Sequence, residues 1–467
     1  MTELQQAVLW PRDGLRNGEW PDLPAASDAG EEVEPRVVGR IARTTARVVL
    51  ASPAWLARVR EERPELEVAP VVFYRLARNA RPVPRTDVAV QAAAAPATRV
   101  RVRVRDARSG AAVAGADVRA FTDFEQLIGA KAITDAHGVA ALDLGAAPVF
   151  VERLYVYPPL VGYWGTQSQN RQLHDGDQFS IEPIDLSVAD GFRAFIPNGL
   201  PGDGTGVKVA VVDTGVGPHV DRPADGDPDN GDGHGTHVAG IIGGRGTLPG
   251  SLPGVAPAVE IVSLRVFAPN GSAPNFTVAE AIEQAVAQRC DLINLSLVFL
   301  GGEDPVVSGA VEDAFRRGCV CVAAAGNEGR RPVGFPASHP KVVAVSALGK
   351  LRTYPAESID ELDEREPFGS DAADFIAAFS NVGPEIDLTA PGVGTISTVP
   401  GGYGWMSGTS MACPAVTGVA ARRLAREPAI LAMDRDETRA SRIARLVVDA
   451  ARALGFPTDL EGRGLAD

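Results

Sequence analysis

The chain of 467 residues is too long for one hydrophobic core, so two or three domains are expected. A hydrophobic content of 45% and a charged content of 22%, with 50 Gly and 36 Pro, describe a loop-rich globular protein and exclude a disordered one. The formal charge of −14 sets nucleic acid and anionic membrane aside as main partners.

The opening segment, MTELQQAVLWPRDGLRNGEW, has no basic stretch followed by an apolar run, so no secretory signal is expected. Residues 1–35 are rich in Pro, Gly and acids and read as an irregular leader. Residues 36–89 read as a small α/β unit. There RVVGRIARTTARVVL supplies one or two strands, SPAWLARVREERPEL a helix with Ser52 as cap, and VAPVVFYRLA a further strand. The alanine-rich stretch 90–98 reads as a linker. Residues 99–105, RVRVRVR, alternate strictly, which describes a half-buried strand with its Arg face in solvent. A polyanion-binding stripe is the alternative, but charge runs usually lie in water. Turn residues at Asp106–Gly110 and Asp135–Gly138 fit hairpins, and His137 falls in the second turn. The stretch 99–185 resembles the β-sandwich modules related to carboxypeptidase regulatory domains. That resemblance implies a recognition surface for a partner.

From residue 190 apolar β-branched runs alternate with helical patterns through VKVAVVD, VEIVSLRVF, TVAEAIEQAVAQRC, LINLSLV, VSGAVEDAFRRG, CVCVAAAG and KVVAVSAL. Apolar strands separated by helices predict an α/β domain over 190–467, a parallel sheet buried on both faces. Sites in such sheets collect at the carboxyl ends of strands. Cys290, Cys319, Cys321 and Cys413 lie in apolar or small-residue runs with no C-x-x-C spacing, which predicts buried free thiols. No stretch reaches 18 uninterrupted apolar residues, so no membrane-spanning helix is expected. Thiols and missing signal together make a cytoplasmic location the expectation.

Four segments carry chemistry. In VKVAVVDTGV (207–216) a buried strand ends on Asp213 before a tight Gly turn, where a carboxylate can orient a histidine. In GDGHGTHVAGIIGG (231–244) His234 and His237 stand three apart. A metal pair is the alternative, but the H-E-x-x-H signature and a third ligand are missing. In CVCVAAAGNEG (319–329) a strand delivers Asn327 on a Gly-flanked turn, either as a donor to a developing oxyanion or as a loop residue in a left-handed turn. In GWMSGTSMACPAVTGVAA (404–421) Ser410 opens a helical run. It serves there either as a cap or as a group free to face a pocket beside backbone N–H donors.

The blocks D-T-G, H-G-T-H-V-A-G, A-A-G-N-E-G and G-T-S-M-A-x-P, in the order Asp, His, Asn, Ser, resemble those of the subtilisin family of serine proteases, over about 195–467. The resemblance implies a serine endopeptidase with Ser410 as nucleophile, His234 as general base, Asp213 orienting it, and Asn327 with the Ser410 N–H as oxyanion hole. His237 matches the family's structural histidine. Ser296 and Leu297 match the segment that pairs with an extended polypeptide substrate, although Val298-Phe299-Leu300 replaces the usual glycine pair. Ala324, Ala325 and Gly326 are implied as one wall of the primary pocket and Gly334 as its floor, leaving room for a large apolar residue. Glu328 and Asp374 offer charge without an assigned place.

No cofactor is implied for the reaction. A structural calcium ion is common in the family, yet GGRGTLPGSLPGVAP (243–257) lacks the expected carboxylates and Asn. The acidic loop DRPADGDPDNGDG (221–233) offers Asp225, Asp227 and Asp229 as a weak candidate site, and a solvated loop is preferred. Residues 349–378 read as an insertion, a surface excursion rather than a lid. LEGRGLAD resembles the closing G-x-G-L of the catalytic domain, so no further C-terminal domain is expected. Residues 36–80 resemble a short version of the propeptides that chaperone and inhibit subtilisins. Loss of residues 1–190 is therefore expected to raise activity, as in a zymogen. The competing expectation is a catalytically silent binding protein that keeps the scaffold. An α/β-hydrolase is excluded because no G-x-S-x-G surrounds Ser410.

Overall fold

The computed structural model describes residues 4–11, 20–24, 34–40, 46–79, 81–85, 99–145, 147–219, 225–247 and 249–467. The expected linker at 90–98 lies outside the described residues.

Near the N-terminus β1 (Gln5–Pro11), β2 (Arg36–Arg40), β3 (Arg47–Ala51) and β4 (Leu66–Pro70) form one sheet in the order β2-β3-β1-β4. Helix α1 (Pro53–Glu62) connects β3 to β4, and the Ser52 side chain caps it by accepting the Trp55 N–H. The supposed irregular leader thus contains the central strand of this sheet. Composition hid it, because AVLW is fixed by non-local pairing with β3 and β4. Ala7 and Leu9 face α1 in a cluster with Trp55, Leu56 and Val59. Val8 and Ala69 belong instead to the core of the large domain. The supposed single strand VAPVVFYRLA is also two strands. β4 ends at Pro70, and β5 (Phe73–Leu76) pairs elsewhere.

Strands β6 (Val100–Asp106), β7 (Asp117–Asp123), β8 (Ile128–Ile133), β9 (Val139–Leu142), β10 (Val149–Tyr157), β11 (Thr166–Leu173) and β12 (Gln178–Ile181) make two sheets, β11-β10-β7-β8 and β12-β6-β9. Their inner residues share one core, with Val100, Val102 and Val104 from β6 against Val118, Ala120 and Val156. Arg101 and Arg103 alternate outward into solvent.

The large domain is an α/β sheet in the order β14-β15-β13-β17-β19-β20-β21, with β22 also on β20. It contains β13 (Lys208–Asp213), β14 (Asp225–Gly226), β15 (Glu260–Arg265), β17 (Leu292–Leu295), β19 (Val320–Ala324), β20 (Val342–Lys350), β21 (Asp374–Ile376) and β22 (Leu388–Pro391). Only the β20–β21 pair in it is antiparallel among the described residues. Two faces are buried because every second residue points each way. Val209 and Val211 join one core with α2 (His234–Gly243) and α5 (Thr409–Leu424). Ala210 and Val212 join the other with α3 (Asn275–Ala287) and α4 (Pro305–Arg316). Two short strands, β16 (Ser272–Pro274) and β18 (Leu297–Val298), flank β5, and β23 (Thr395–Val399) pairs with β24 (Gly402–Met406). All four cysteines are buried free thiols, and burial pushes Cys290, Cys321 and Cys413 up to about 12. Among the described residues no helix is long and apolar enough to cross a membrane.

One buried ion pair ties the sheet to helix α6 (Glu437–Val448). Arg439 donates to Asp291 Oδ1 at 2.6 Å and to the Gly318 carbonyl at 2.6 Å, while Asp291 Oδ2 accepts the Lys208 N–H at 2.9 Å. Removing one partner strands a buried charge. Asp291→Ala is expected to lower stability by about 3–5 kcal/mol, read as an earlier urea midpoint for the large domain. An unchanged midpoint contradicts the role given to this pair.

Candidate active site

Asp213 is the last residue of β13, and His234 is the first of α2. They meet because the turn after β13 and the start of α2 are built from small residues. A Cβ on Gly235 would lie 2.3 Å from the Gly215 carbonyl oxygen. The Gly235 N–H donates to Thr214 Oγ1 at 2.9 Å. His234 Nδ1 lies 2.8 Å from Asp213 Oδ1, with both side chains fully buried. A carboxylate only accepts, so Nδ1 carries the proton and Nε2 is left as the basic nitrogen. Nε2 has no hydrogen-bond partner.

Asn327 follows β19, and its amide orientation is set from α5. Oδ1 accepts the Thr409 N–H at 2.9 Å and the Thr409 hydroxyl at 3.0 Å. Nδ2 is thereby left buried with no partner. Ser410 is the second residue of α5 and fully buried. Its hydroxyl donates to the Ser296 carbonyl at 3.1 Å, so the structure joins Asp213 to His234 but does not join Ser410 to His234 by a hydrogen bond. Pro414, four residues on, has no N–H for the Ser410 carbonyl, and Ser296 Oγ donates to that carbonyl instead at 2.9 Å.

The cleft between these groups is filled by the chain itself. β5 lies antiparallel between β16 and β18, with Leu76 opposite Leu297 and Tyr74 opposite Ala273. The Ala77 N–H donates to the Ser296 carbonyl at 3.2 Å, and the Ser410 N–H donates to the Ala77 carbonyl at 2.9 Å. The Asn79 N–H donates to the Ser407 carbonyl at 2.9 Å. A Cβ on Gly408 would stand 2.7 Å from both the Ala77 oxygen and the Arg78 Cα, so only glycine lets the segment pass. Side chains grip it as well. Tyr74 donates to Asp304 Oδ2 at 2.9 Å, Arg78 pairs with Asp232 at 3.0 Å, Arg75 pairs with Glu328, and Asn79 Nδ2 donates to Asp363 Oδ2 at 2.9 Å.

Several expectations change. Residues 349–378 are only in part a surface excursion, because Ile359, Asp360 and Asp363 turn inward. Asp360 is buried, and it accepts from Trp405 Nε1 at 2.8 Å and from Ser407 Oγ at 2.5 Å, next to the Gly408-Thr409-Ser410 turn. Burial holds Asp363 well above the usual carboxylate range, reinforced by Asp360 and opposed by the Asn79 amide. The space beside Gly334 holds Val298 Cγ2 and Leu300 Cδ2, and Ala77 is buried in one cluster with Val298 and Ala324. Ala325 and Gly326 support the site, through Ala325 O to the Gly334 N–H and the Gly326 N–H to Thr409 Oγ1. Asp374 lies on β21 and binds Lys350, away from the cleft. Asp227 accepts the Arg265 N–H, and Asp229 accepts the Gly231 and Gly233 N–H groups. Asp225 has only its backbone described, in β14. Among the described residues no cluster of three or more His, Cys, Asp or Glu gathers for a metal.

The sequence reading missed Tyr74, Asp304 and Asp363. The insertion was visible, but nothing in its acid-rich composition marked which carboxylates turn inward.

The model of the subtilase family matches residues 204–465. The chain belongs to the subtilase family. It is 38% identical over 272 residues to a thermostable alkaline protease of Halalkalibacterium halodurans, covering 56% of this chain and 66% of that protein. It is 37% identical over 241 residues to subtilisin E of Bacillus subtilis, covering 48% of this chain and 57% of that one. The chain thus spans between about half and two thirds of these relatives' length. A solved structure titled S41 psychrophilic protease is 28% identical, with a TM-score of 0.48 over 60% of this chain and 99% of its own.

In this subtilase His237 is fully buried, and its Nε2–H is shared between the Thr395 and Gly404 carbonyls at 3.2 Å each. Burial, then the neighbouring His234, lowers its pKa to about 3. An unfolded histidine takes its proton near 6.5, so between pH 6.5 and 3 the unfolded chain binds the extra proton. The contribution is complete above about pH 6.5 and is lost as pH falls toward 3. His237→Asn is expected to flatten the stability–pH curve there by up to about 1.4 kcal/mol per pH unit, measured by urea unfolding of both proteins. Parallel curves contradict this.

Proposed function

We propose that the chain is a serine endopeptidase made in a self-blocked form, with residues 73–79 lying in its cleft as a substrate would. The observation that carries this reading is the Ala77 carbonyl, 2.9 Å from the Ser410 N–H, in a segment paired on both sides like an added strand. The bond presented for cleavage is Ala77–Arg78.

Reaction begins when the Ser410 hydroxyl turns from the Ser296 carbonyl to His234 Nε2, a rotation about χ1. Nε2 takes the proton as Oγ adds to the Ala77 carbonyl carbon, and Asp213 stabilises the imidazolium. The negative oxygen is received by the Ser410 N–H and by Asn327 Nδ2, whose orientation the Thr409 bonds already fix. His234 gives its proton to the Arg78 nitrogen, the C–N bond breaks, and Ala77 remains as an ester on Ser410. Water, deprotonated by His234, then hydrolyses the ester and frees the Ala77 carboxylate. No cofactor takes part, because nucleophile, base and oxyanion donors all belong to the chain.

On this reading the removable inhibitor is residues 1–77 and not 1–190. The two sheets of residues 99–185 share a buried cluster with the large domain, in which Phe121, Tyr155, Tyr157 and Trp164 join Ile359, Ile396 and Trp405. That much apolar contact holds them in place after the cut. Substrates are extended polypeptides, with a small residue such as alanine preferred where a large apolar one was expected.

A fluorophosphonate probe is expected to label the wild-type protein and not Ser410→Ala. Mass spectrometry is expected to find a new N-terminus at Arg78 in the wild type alone. Asn327→Ala is expected to cut turnover about 10²–10³-fold, the magnitude known for the matching amide of subtilisin itself. A chain that stays intact and unlabelled is the silent scaffold instead.

A further inference from the structure

The contacts gripping residues 73–79 differ in how much each can discriminate. The Arg75 side chain is 54% exposed in its pair with Glu328, and Arg78 is 42% exposed against Asp232. Exposed ion pairs contribute little, so these two bias binding weakly. Asn79 meets Asp363 beyond the bond to be cut. Tyr74 is of another kind. It is 1% exposed, with its ring 5.7 Å from that of Phe299, in one buried cluster with Ala273, Val278 and Leu297. A phenol in such a pocket needs a partner for its hydroxyl.

Asp304 supplies that partner and is only 3% exposed itself. Its Oδ1 accepts the Val306 N–H at 3.1 Å, capping α4, and Asn275 Nδ2 at 3.2 Å. Those two bonds fix the rotation of the carboxyl group. Oδ2 is then held toward the pocket, where it accepts the tyrosine hydroxyl at 2.9 Å. An apolar pocket that merely accommodated a ring would not place a carboxyl group at its end. With phenylalanine in that place, Oδ2 would face hydrocarbon without the hydroxyl, and an unmet buried acceptor opposes binding. Sites built to bond a hydroxyl reject the analogue that lacks it far better than apolar pockets sort by size.

We propose that Asp304 makes this cleft select tyrosine over phenylalanine three residues before the small residue at which the chain is cut, so that its substrates are polypeptides carrying a Tyr-x-x-Ala pattern. This rests on the endopeptidase reading above. Asp304 is here a specificity residue for bound substrate, beyond its duty as a helix cap.

The test uses full-length protein after self-processing, with active sites counted by fluorophosphonate titration. Two internally quenched peptides carry residues 71–79, one as VVFYRLARN and one with Tyr74→Phe. The expected result is a kcat/KM about 10–100-fold higher for the tyrosine peptide, as for a hydrogen bond to a charged group. Asp304→Ser keeps a good cap but cannot reach the hydroxyl. It is expected to bring the ratio near one by removing the bond to the tyrosine peptide and the unmet acceptor facing the phenylalanine peptide. A labelled wild-type enzyme that cuts both peptides equally overturns the proposal and leaves the proposed function standing, and the wild-type ratio decides even if Asp304→Ser does not fold. Protein that neither labels nor cuts either peptide overturns the proposed function and this inference with it.

Discussion

The backbone of residues 73–79, stitched between β16 and β18 and closed by the Ser410 N–H on the Ala77 carbonyl, is the constraint on which the surrounding structure turns. β4 ends at Pro70, and the chain enters the cleft within three residues, so the first sheet must sit beside α3. Asn275 at the head of α3 fastens that corner, its N–H on the Val72 carbonyl and its amide on the Pro70 carbonyl at 3.2 Å. Val8 and Ala69 then pack into the large domain's core rather than into a core of their own. On the far side, Asn79 draws in Asp363 and with it the turn that buries Asp360 under Trp405.

Within the site, orientation is set one step back from the groups that face the cleft. Thr409 occupies the oxygen of Asn327, and this leaves the nitrogen as the outward donor. Pro414 withholds a backbone donor from the Ser410 carbonyl, and Ser296 takes its place, which ties the start of α5 to the strand beside the cleft. Asp213 fixes the proton of His234 on Nδ1. Each arrangement is preorganised by bonds inside the scaffold, so little has to move when charge develops. On the proposed reading the serine side chain is the part that must turn, because its hydroxyl rests on the Ser296 carbonyl.

What the sequence made legible follows the reach of each signal. Asp213, His234, Asn327 and Ser410 sit on strand ends and helix starts whose apolar runs are local and continuous, so both the α/β sheet and the position of these residues on it could be read directly. β1 could not be read, because Pro and Gly around it dominate composition and its pairing partners lie far along the chain. FYRLA looked like the continuation of the preceding strand. Nothing in five residues says that their hydrogen bonds go to Ser272–Pro274 and Leu297–Val298. Gly334 removes a side chain, and Val298 of β18 with Leu300 just beyond it lies against the space. Asp360 and Asp363 looked like solvated charge because acids usually are, and only their partners Trp405, Ser407 and Asn79 reveal otherwise.

Covalent continuity decides how such a segment can both block a cleft and leave it. While Ala77 is joined to Arg78, the segment is tethered at both ends, and its effective concentration at the cleft is that of an intramolecular ligand. Every contact along it then works against release, including weak ones such as Arg75 on Glu328. The proposed cut at that one bond would change the balance without altering a single contact in the first sheet. Residues 1–77 would then be a separate ligand held by the pairing of β5, the Tyr74 hydroxyl and the face carrying Val8 and Ala69. Residues from Arg78 onward stay with the large domain through the aromatic cluster around Trp164 and Trp405. On the proposed reading, the two-sheet unit is a permanent neighbour of the cleft and residues 73–79 are its removable occupant, carried by the first sheet. On that reading the boundary between them is the Ala77–Arg78 peptide bond beside Ser410.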